Sequence, residues 1–368
     1  MSYKVPFFDL KMVPETIKNQ WKEDFERVIR SGQFIGGDEL MNFEAVWSKK
    51  IGVSYSAGVG NGLDGLVLAL KALGIKNGQK VAVPAHTFIA TWNAVYLAGG
   101  TPIGVDVDHR GLMDLDLLEQ IPEVPRFVIP VHMHGMSVDM PRLMNWARGN
   151  NCRVIEDASQ AHLAKSGGKM VGSTSDVGVF SLYPSKNLGA LGDGGVITTN
   201  SEEIYSKIRS FQNYGAAYAD KYNHTTLGVN SRLDSLQAAL LTTNISHLED
   251  WNSKRKIFAG FYLDGLTEHE QLHFLNAQLD DSVWHHFPIL VKNRSELIRY
   301  LGELGIGTEI HYPNLASDEF SKIIGTTRVS FENAELISGE ILSLPISPWH
   351  SKDQIDYVIK SVNSFFGV

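Results

Sequence analysis

The sequence holds a single cysteine, Cys152, in 368 residues. One thiol excludes an intramolecular disulfide and any zinc site built on clustered cysteines. No apolar run reaches the length that a membrane-spanning helix needs. The opening residues, Met1 to Met12, read MSYKVPFFDLKM and lack the apolar core of a signal peptide, so the cytoplasm is the expected compartment. Positive charge is in short supply: 33 Lys and Arg stand against 41 Asp and Glu, a formal net charge of −8. A nucleic-acid binder would show a basic surplus or stripe. Neither nucleic acid nor membrane is therefore an expected partner. Repeats of solenoid period and low-complexity segments are also missing. What is present is 43% hydrophobic and 20% charged, the make-up of an ordinary globular chain. Its length suits one large domain with a smaller companion. An acidic balance still allows a local anion site, because backbone amides and a few side chains can hold a phosphate.

From about Val53 to Asn200 short Val- and Ile-rich runs alternate with helical patterns. Strands are expected over Ser56–Val59, Lys80–Pro84, Pro102–Val107, Phe127–His132, Arg153–Glu156, Val177–Leu182 and Gly195–Thr199. Several have no polar face, as strands covered on both sides do. Leu63, Leu66, Val67, Leu70 and Leu73 carry the helical period, and Asp139 before Pro141 is a helix start. Alternation of this kind means α/β layering on a mostly parallel sheet. After Asn200 helices are expected over Ile204–Phe211, Arg232–Leu248, Asp250–Leu266 and Ser295–Leu304. Strands are expected over His286–Val291 and around Thr308–His311, and Ser351-x-x-Gln354 opens a last helix with a capping box. The expected division is a large α/β domain over 1–244 and a small α+β domain over 245–368.

In such sheets ligands sit beyond the carboxyl ends of the strands. Glu156-Asp157 closes one strand there, and Ser181 closes another, followed by Tyr183-Pro184-Ser185-Lys186. The loop Gly58–Asp64 enters the leucine-rich helix. Lys186 precedes a loop with four glycines, and a lysine in a partly apolar setting can act as an amine nucleophile. A solvated surface lysine is the plain alternative. Gly62 and Leu63 at a helix start offer free N–H groups for a phosphate. Gly60-x-Gly62-x-x-Gly65 also fits the dinucleotide fingerprint, but the second strand runs into Ala85-His86, with no acid for the ribose. Asp157 at a buried strand end calls for a partner: a protonated ring nitrogen of a cofactor, or a structural hydrogen bond. A phosphate cradle, a carboxylate for a ring nitrogen and a lysine for an aldehyde are together the parts of a pyridoxal 5′-phosphate site. His132-x-His134 would set two rings on one face of a strand, but no acid or cysteine stands at ligand spacing, and no metal is expected.

The chain resembles the DegT/DnrJ/EryC1/StrS sugar aminotransferases, which are fold-type I pyridoxal phosphate enzymes. The resemblance runs from VPFFDLK (Val5–Lys11) to LSLPISP (Leu342–Pro348). Its most specific stretches are SGQFIGG (Ser31–Gly37), GVGNGLDGL (Gly58–Leu66), PAHTFIATWNAV (Pro84–Val95), VIEDASQAH (Val154–His162), FSLYPSKNLGALGDGGVITTN (Phe180–Asn200), NSRLDSLQAA (Asn230–Ala239) and EIHYP (Glu309–Pro313). NGLDGL, the histidine of AHTFIATW, KYNH (Lys221–His224) and VWHHF (Val283–Phe287) are similar to the subgroup that aminates carbon 3 of nucleotide-linked keto sugars. Leu63 and His86 stand where the family more often has Thr and Tyr or Phe. His162-Leu163 and Asn314-Leu315-Ala316-Ser317 also depart from it, and these changes bear on the identity of the sugar.

The resemblance implies an aspartate-aminotransferase-like α/β fold. It implies Lys186 as the lysine that binds the cofactor's aldehyde and moves the proton, Asp157 on the pyridine nitrogen, Gln160 facing the 3-hydroxyl and Phe88 stacked on the ring. Gly62, Leu63 and Ser181 would hold the phosphate, with Asn230 reaching it from the partner subunit of a homodimer with a shared active site. Tyr183, Lys221, His224, His311 and Tyr312 would meet the sugar nucleotide. The implied reaction takes an amino group from L-glutamate, releases 2-oxoglutarate, passes through pyridoxamine 5′-phosphate and aminates a nucleotide-linked, dTDP-type 3-keto-6-deoxyhexose in deoxysugar biosynthesis. The alternatives are a carbon-4 aminotransferase acting on a 4-keto sugar and a non-catalytic regulatory or binding protein on this fold.

Overall fold

The computed structural model describes residues 3–217 and 220–368, apart from the side chains of residues 220, 221 and 281. Seven strands form the central sheet: β1 Tyr55–Val59, β2 Lys80–Pro84, β3 Thr101–Val105, β4 Phe127–Val128, β5 Arg153–Asp157, β6 Val177–Ser181 and β7 Gly195–Thr199. Their order is β1-β7-β6-β5-β4-β2-β3. Parallel pairing joins β6, β5, β4, β2 and β3 in turn, while β7 runs antiparallel to both of its neighbours. Six strands therefore end on one edge, and helices on both faces explain their lack of a polar side.

The helices used below are α1 Glu15–Ser31, α2 Gly37–Ile51, α3 Gly62–Ala72, α4 Ala90–Leu97, α5 Met140–Gly149, α6 Glu202–Phe211, α7 Ser235–Gly265, α8 Arg294–Glu303 and α9 Lys352–Phe366. Asp139 caps α5 by accepting the Arg142 N–H, and the Ser351–Gln354 capping box of α9 is complete. α3 lies against β6 and β7 so closely that a Cβ on Gly65 would sit 2.7 Å from Val179 Cγ1. The third glycine of the dinucleotide-like pattern thus serves helix-to-sheet packing. Among the described residues no helix is long and apolar enough to cross a membrane.

Three expectations change. The strand expected over Phe127–His132 pairs regularly only at Phe127 and Val128, because Pro130 has no N–H to give; pairing resumes as a bridge from Val131 to Asp157. The two helices expected on either side of residue 249 are one helix, α7, of 31 residues. Neither Gly nor Pro interrupts Glu249-Asp250-Trp251, so nothing stops the backbone ladder there. The 244/245 division falls inside this helix, which packs on α1 and α2 and also on α9. The smaller sheet has three antiparallel strands: β8 Leu272–Phe274, β9 Phe287–Val291 and β10 Ile341–Leu344. Only β9 was expected; the segment around Thr308–His311 contributes a single bridge, Glu309 to Ser343. Val5 bridges Ile306 and packs in the same apolar cluster as β9 and β10, so the chain's start crosses to this unit.

Candidate active site

A cavity of about 430 Å³ opens where β5, β6, the loop after β2 and the start of α3 converge. Lys186, Asp157, Gln160, Gly62, Leu63, Ser181, Phe88, Tyr183, His311 and Tyr312 all line it. These include every expected site residue except Asn230, His224 and Lys221. Asn230 and His224 are exposed and outside the cavity of the single chain, and the Lys221 side chain lies outside the described residues.

One wall is the start of α3. Asn61 caps it by accepting the Asp64 N–H at 2.8 Å. The N–H groups of Gly62 and Leu63 belong to the first turn and have no carbonyl within the helix. A Cβ on Gly62 would lie 3.1 Å from Ser181 Cβ and 3.3 Å from Ser159 Oγ, so the glycine lets the helix end close on β6. Two N–H groups, two hydroxyls and the positive helix end make a cradle for a phosphate.

The floor is the end of β5. Successive strand residues face opposite sides. Glu156 turns away from the cavity and is fully engaged by His132 Nε2 at 3.0 Å, the Gly172 N–H at 2.7 Å and the Ser175 hydroxyl at 2.7 Å. Burial pushes its pKa up, but these partners outweigh that and hold it below the usual value. Asp157 turns inward. It accepts the Thr91 hydroxyl at 3.0 Å and the Ser159 N–H at 3.2 Å, and it is 5% exposed. Its two oxygens keep lone pairs free to meet a protonated ring nitrogen.

His132 and His134 part company, contrary to the strand reading. His132 spends Nε2 on Glu156 and accepts the Val138 N–H on Nδ1. His134 has left the strand with a φ of 58°, and its ring meets His286. The acidic neighbour of His132 comes from the adjacent strand, which spacing along the chain does not reveal. Among the described residues no group of three or more His, Cys, Asp or Glu is placed to hold a metal ion.

Lys186 lines the same cavity. Burial pushes its pKa down to about 8, with the charge of Asp157 opposing part of that effect. An amine that titrates there is able both to take and to give a proton near neutral pH. Gln160 has its amide oriented: Oε1 accepts the His134 N–H at 2.8 Å, and Nε2 donates to the Tyr312 hydroxyl oxygen at 3.1 Å. Phe88 and Tyr312 pack ring to ring at 5.4 Å. His311 stacks on His286 at 3.7 Å, and burial, then the charge of Lys186, pushes its pKa down to about 3. Sequence reasoning missed Thr91, Ser159, His285 and His286 as cavity residues. Only the paired histidines of VWHHF gave a signal, and it pointed to a subgroup rather than to a place.

A lysine, an inward carboxylate and a phosphate cradle thus share one cavity, and the residues fit pyridoxal 5′-phosphate. Residues 15–363 match the DegT/DnrJ/EryC1/StrS aminotransferase family. The chain belongs to this family. It is an aminotransferase of the kind that depends on pyridoxal phosphate, on the aspartate-aminotransferase-like fold. It is similar to dTDP-3-amino-3,4,6-trideoxy-alpha-D-glucose transaminase of Streptomyces venezuelae, with 38% identity over 98% of this chain and 96% of the relative. It is equally similar to dTDP-3-amino-3,6-dideoxy-alpha-D-galactopyranose transaminase of Aneurinibacillus thermoaerophilus, with 38% identity over 98% and 99%. The crystal structure of S. venezuelae DesV in complex with a ketimine intermediate matches with a TM-score of 0.94 at 37% identity, covering 99% of each chain.

The cradle makes a direct prediction for this aminotransferase. In Gly62→Ala the added methyl pushes α3 off Ser181. Cofactor affinity should fall about tenfold, the equivalent of ~1.4 kcal/mol, with unchanged circular dichroism. Fluorescence titration of the cofactor-free protein reads this. An unaltered dissociation constant would mean that α3 does not close on the phosphate.

Proposed function

We propose that this aminotransferase converts a nucleotide-linked 3-keto-6-deoxyhexose, with dTDP as the nucleotide, to the 3-amino sugar, using L-glutamate as donor. The observation that carries the chemistry is the meeting of Lys186, Asp157 and the α3 cradle on one cavity. Amination at carbon 3 is supported by two relatives of equal identity, one named for a gluco and one for a galacto sugar, both 3-amino.

Bound pyridoxal 5′-phosphate supplies the aldehyde that carries the amino group, cycling to pyridoxamine 5′-phosphate, and a ring that withdraws electrons from the reacting carbon. The protein's residues do the rest. Gly62, Leu63 and Ser181 hold the phosphate, and Asp157 keeps the ring nitrogen protonated. Gln160, its amide fixed by His134 and Tyr312, would have one N–H left to give to the ring's 3-oxygen. Phe88 covers one face. Lys186 would hold the aldehyde at rest, and its amine, titrating near about 8, would take up and return the proton. Tyr183, His311 and Tyr312 meet the sugar side.

Phe88, Tyr183, Tyr222 and Leu227 leave 53%, 55%, 79% and 91% of their surface exposed. That apolar surface supports a homodimer in which Asn230, Lys221 and His224 of one subunit serve the cavity of the other. Light scattering that gives only monomer at working concentration would contradict it.

The test of the function is an absorbance series. With the cofactor, the protein should show the long-wavelength band of a lysine-bound aldehyde and lose it on adding L-glutamate. A dTDP-linked 3-keto-6-deoxyhexose should restore the band. Restoration by a 4-keto sugar alone would make it a carbon-4 enzyme, and a band indifferent to every donor would favour the non-catalytic reading.

A further inference from the structure

Among the described residues the Asp157 carboxylate has two hydrogen-bond partners, and they differ in kind. Oδ1 accepts the Ser159 N–H at 3.2 Å, two residues along the chain, a turn that many aspartates make with their own backbone. Oδ2 accepts the Thr91 hydroxyl at 3.0 Å, 66 residues away on α4. Thr91 is buried and lines the same cavity. A hydroxyl has one hydrogen, and an ionised carboxylate only accepts, so the Thr91 hydrogen is given to Asp157. Thr91 Oγ1 also lies 3.2 Å from Oγ1 of Thr87, another buried residue of the cavity. With the Thr91 hydrogen committed, Thr87 is the donor in that contact. The bonds therefore run one way, from Thr87 to Thr91 to Asp157.

The start of α4 is held in place for this. The Thr91 N–H donates to the Phe88 carbonyl at 3.2 Å. The next residue, Trp92, donates from Nε1 to the Pro84 carbonyl at 2.9 Å, which pins the first turn of α4 to the end of β2. In the sheet β4 lies between β2 and β5. Thr91 thus reaches over the end of β4 to the carboxylate that closes β5.

We propose that Thr91 is a positioning residue for Asp157, with Thr87 setting the direction of its hydroxyl: the hydrogen bond it donates steadies the charged carboxylate, so that the proton between Asp157 and the ring nitrogen of the cofactor stays on the nitrogen. This rests on Asp157 meeting that nitrogen in the proposed function. A hydrogen bond donated to the charged form of an acid favours that form. Without the hydroxyl the carboxylate is the stronger base and draws the proton toward itself. The ring then withdraws fewer electrons from the reacting carbon. Thr91 itself touches neither the nitrogen nor the proton; it acts through Asp157 alone.

The experiment compares wild type with Thr91→Val, Thr91→Ser and Thr87→Val. Valine keeps the branched shape and removes the hydroxyl; serine keeps the hydroxyl. The first readout is not a rate. Pyridoxal 5′-phosphate carrying nitrogen-15 in its ring is bound to each protein, and the chemical shift of that nitrogen is read by NMR. Wild type and Thr91→Ser should show a protonated pyridine. Thr91→Val should move the signal toward the unprotonated position, and Thr87→Val should move it the same way by less. The second readout is the first half-reaction with L-glutamate. Thr91→Val should slow it about tenfold, the size of one hydrogen bond to a charged group, and serine should restore it. The third readout uses the cofactor-free proteins. The Asp157 charge raises the pKa of Lys186, so acylation of that lysine across pH, read by peptide mass spectrometry, reports the charge. In Thr91→Val the midpoint should not fall, because Asp157 keeps its charge and place. A fall as large as that of Asp157→Asn would mean that Thr91 maintains the site as a whole, and would overturn the proposal. Equal ring signals and rates in all four proteins would also overturn it. Should Thr91→Val fail to fold, Thr91→Ala removes the same hydroxyl and carries the comparison with serine. A protonated ring in a wild type that ignores glutamate would sink the proposed function, while the nitrogen series would still decide this inference. An unprotonated ring in the wild type would overturn both.

Discussion

Lys186→Ala is expected to stop transamination, with kcat falling by about 10⁴-fold, the upper end of what a placed acid–base group contributes. Two losses combine. The cofactor's aldehyde loses its resting partner, and no amine remains to carry the proton. The fold should survive, because the Lys186 amine makes no hydrogen bond among the described residues, while the loop around it is anchored by Asn187 and by the Lys186 N–H to the Tyr183 carbonyl and the Ala190 N–H to the Leu182 carbonyl, both at 2.8 Å. Truncation leaves space in the cavity beside Asp157, so a small primary amine in the buffer should restore part of the rate. Rapid-mixing spectroscopy with glutamate checks both statements. Wild-type turnover in the alanine variant would remove the proposed mechanism.

Asp157→Asn is the second large effect. An amide does not hold a ring nitrogen protonated, so electron withdrawal weakens, and kcat should drop about 10³-fold. Structural damage should be small, because an asparagine oxygen still accepts one of the two bonds from Thr91 and Ser159. A second consequence separates this electrostatic role from simple misplacement. The Asp157 charge raises the pKa of Lys186 against burial. Removing it leaves burial unopposed, so the lysine should titrate below about 8 and be an amine over a wider pH range. Labelling of Lys186 in the cofactor-free variant measures that shift. A full rate loss with an unmoved lysine would mean that Asp157 acts only through the ring, and undiminished kcat would deny it any role.

Much of this was legible in the sequence for a physical reason. The sheet strands are buried on both faces, so each reads as a short unbroken apolar run, and six of the seven begin or end where the run does. Strand-end polar residues come next in the chain, which is why Asp157, Ser181 and Lys186 could be singled out together. The α7 break was misjudged because Glu249-Asp250 resembles a helix boundary in charge but contains no residue that breaks the backbone ladder. β8 and β10 were missed since each is short, and each is stabilised by β9 rather than by its own pattern.

The sequence by itself determined the layering, the family and the identity of the lysine, carboxylate and glycine that build the cavity, because these depend on local period and on residues close in the chain. Only the tertiary structure decided which polar groups spend themselves on one another. Glu156 faces His132 while its neighbour Asp157 faces the cavity, since a strand alternates and β4 lies on one side of β5. His285 meets Asn187 across 98 residues, because α7 brings the start of the small sheet against the loop after Lys186. Such pairings are set by the packing of whole elements, and no spacing along the chain encodes them.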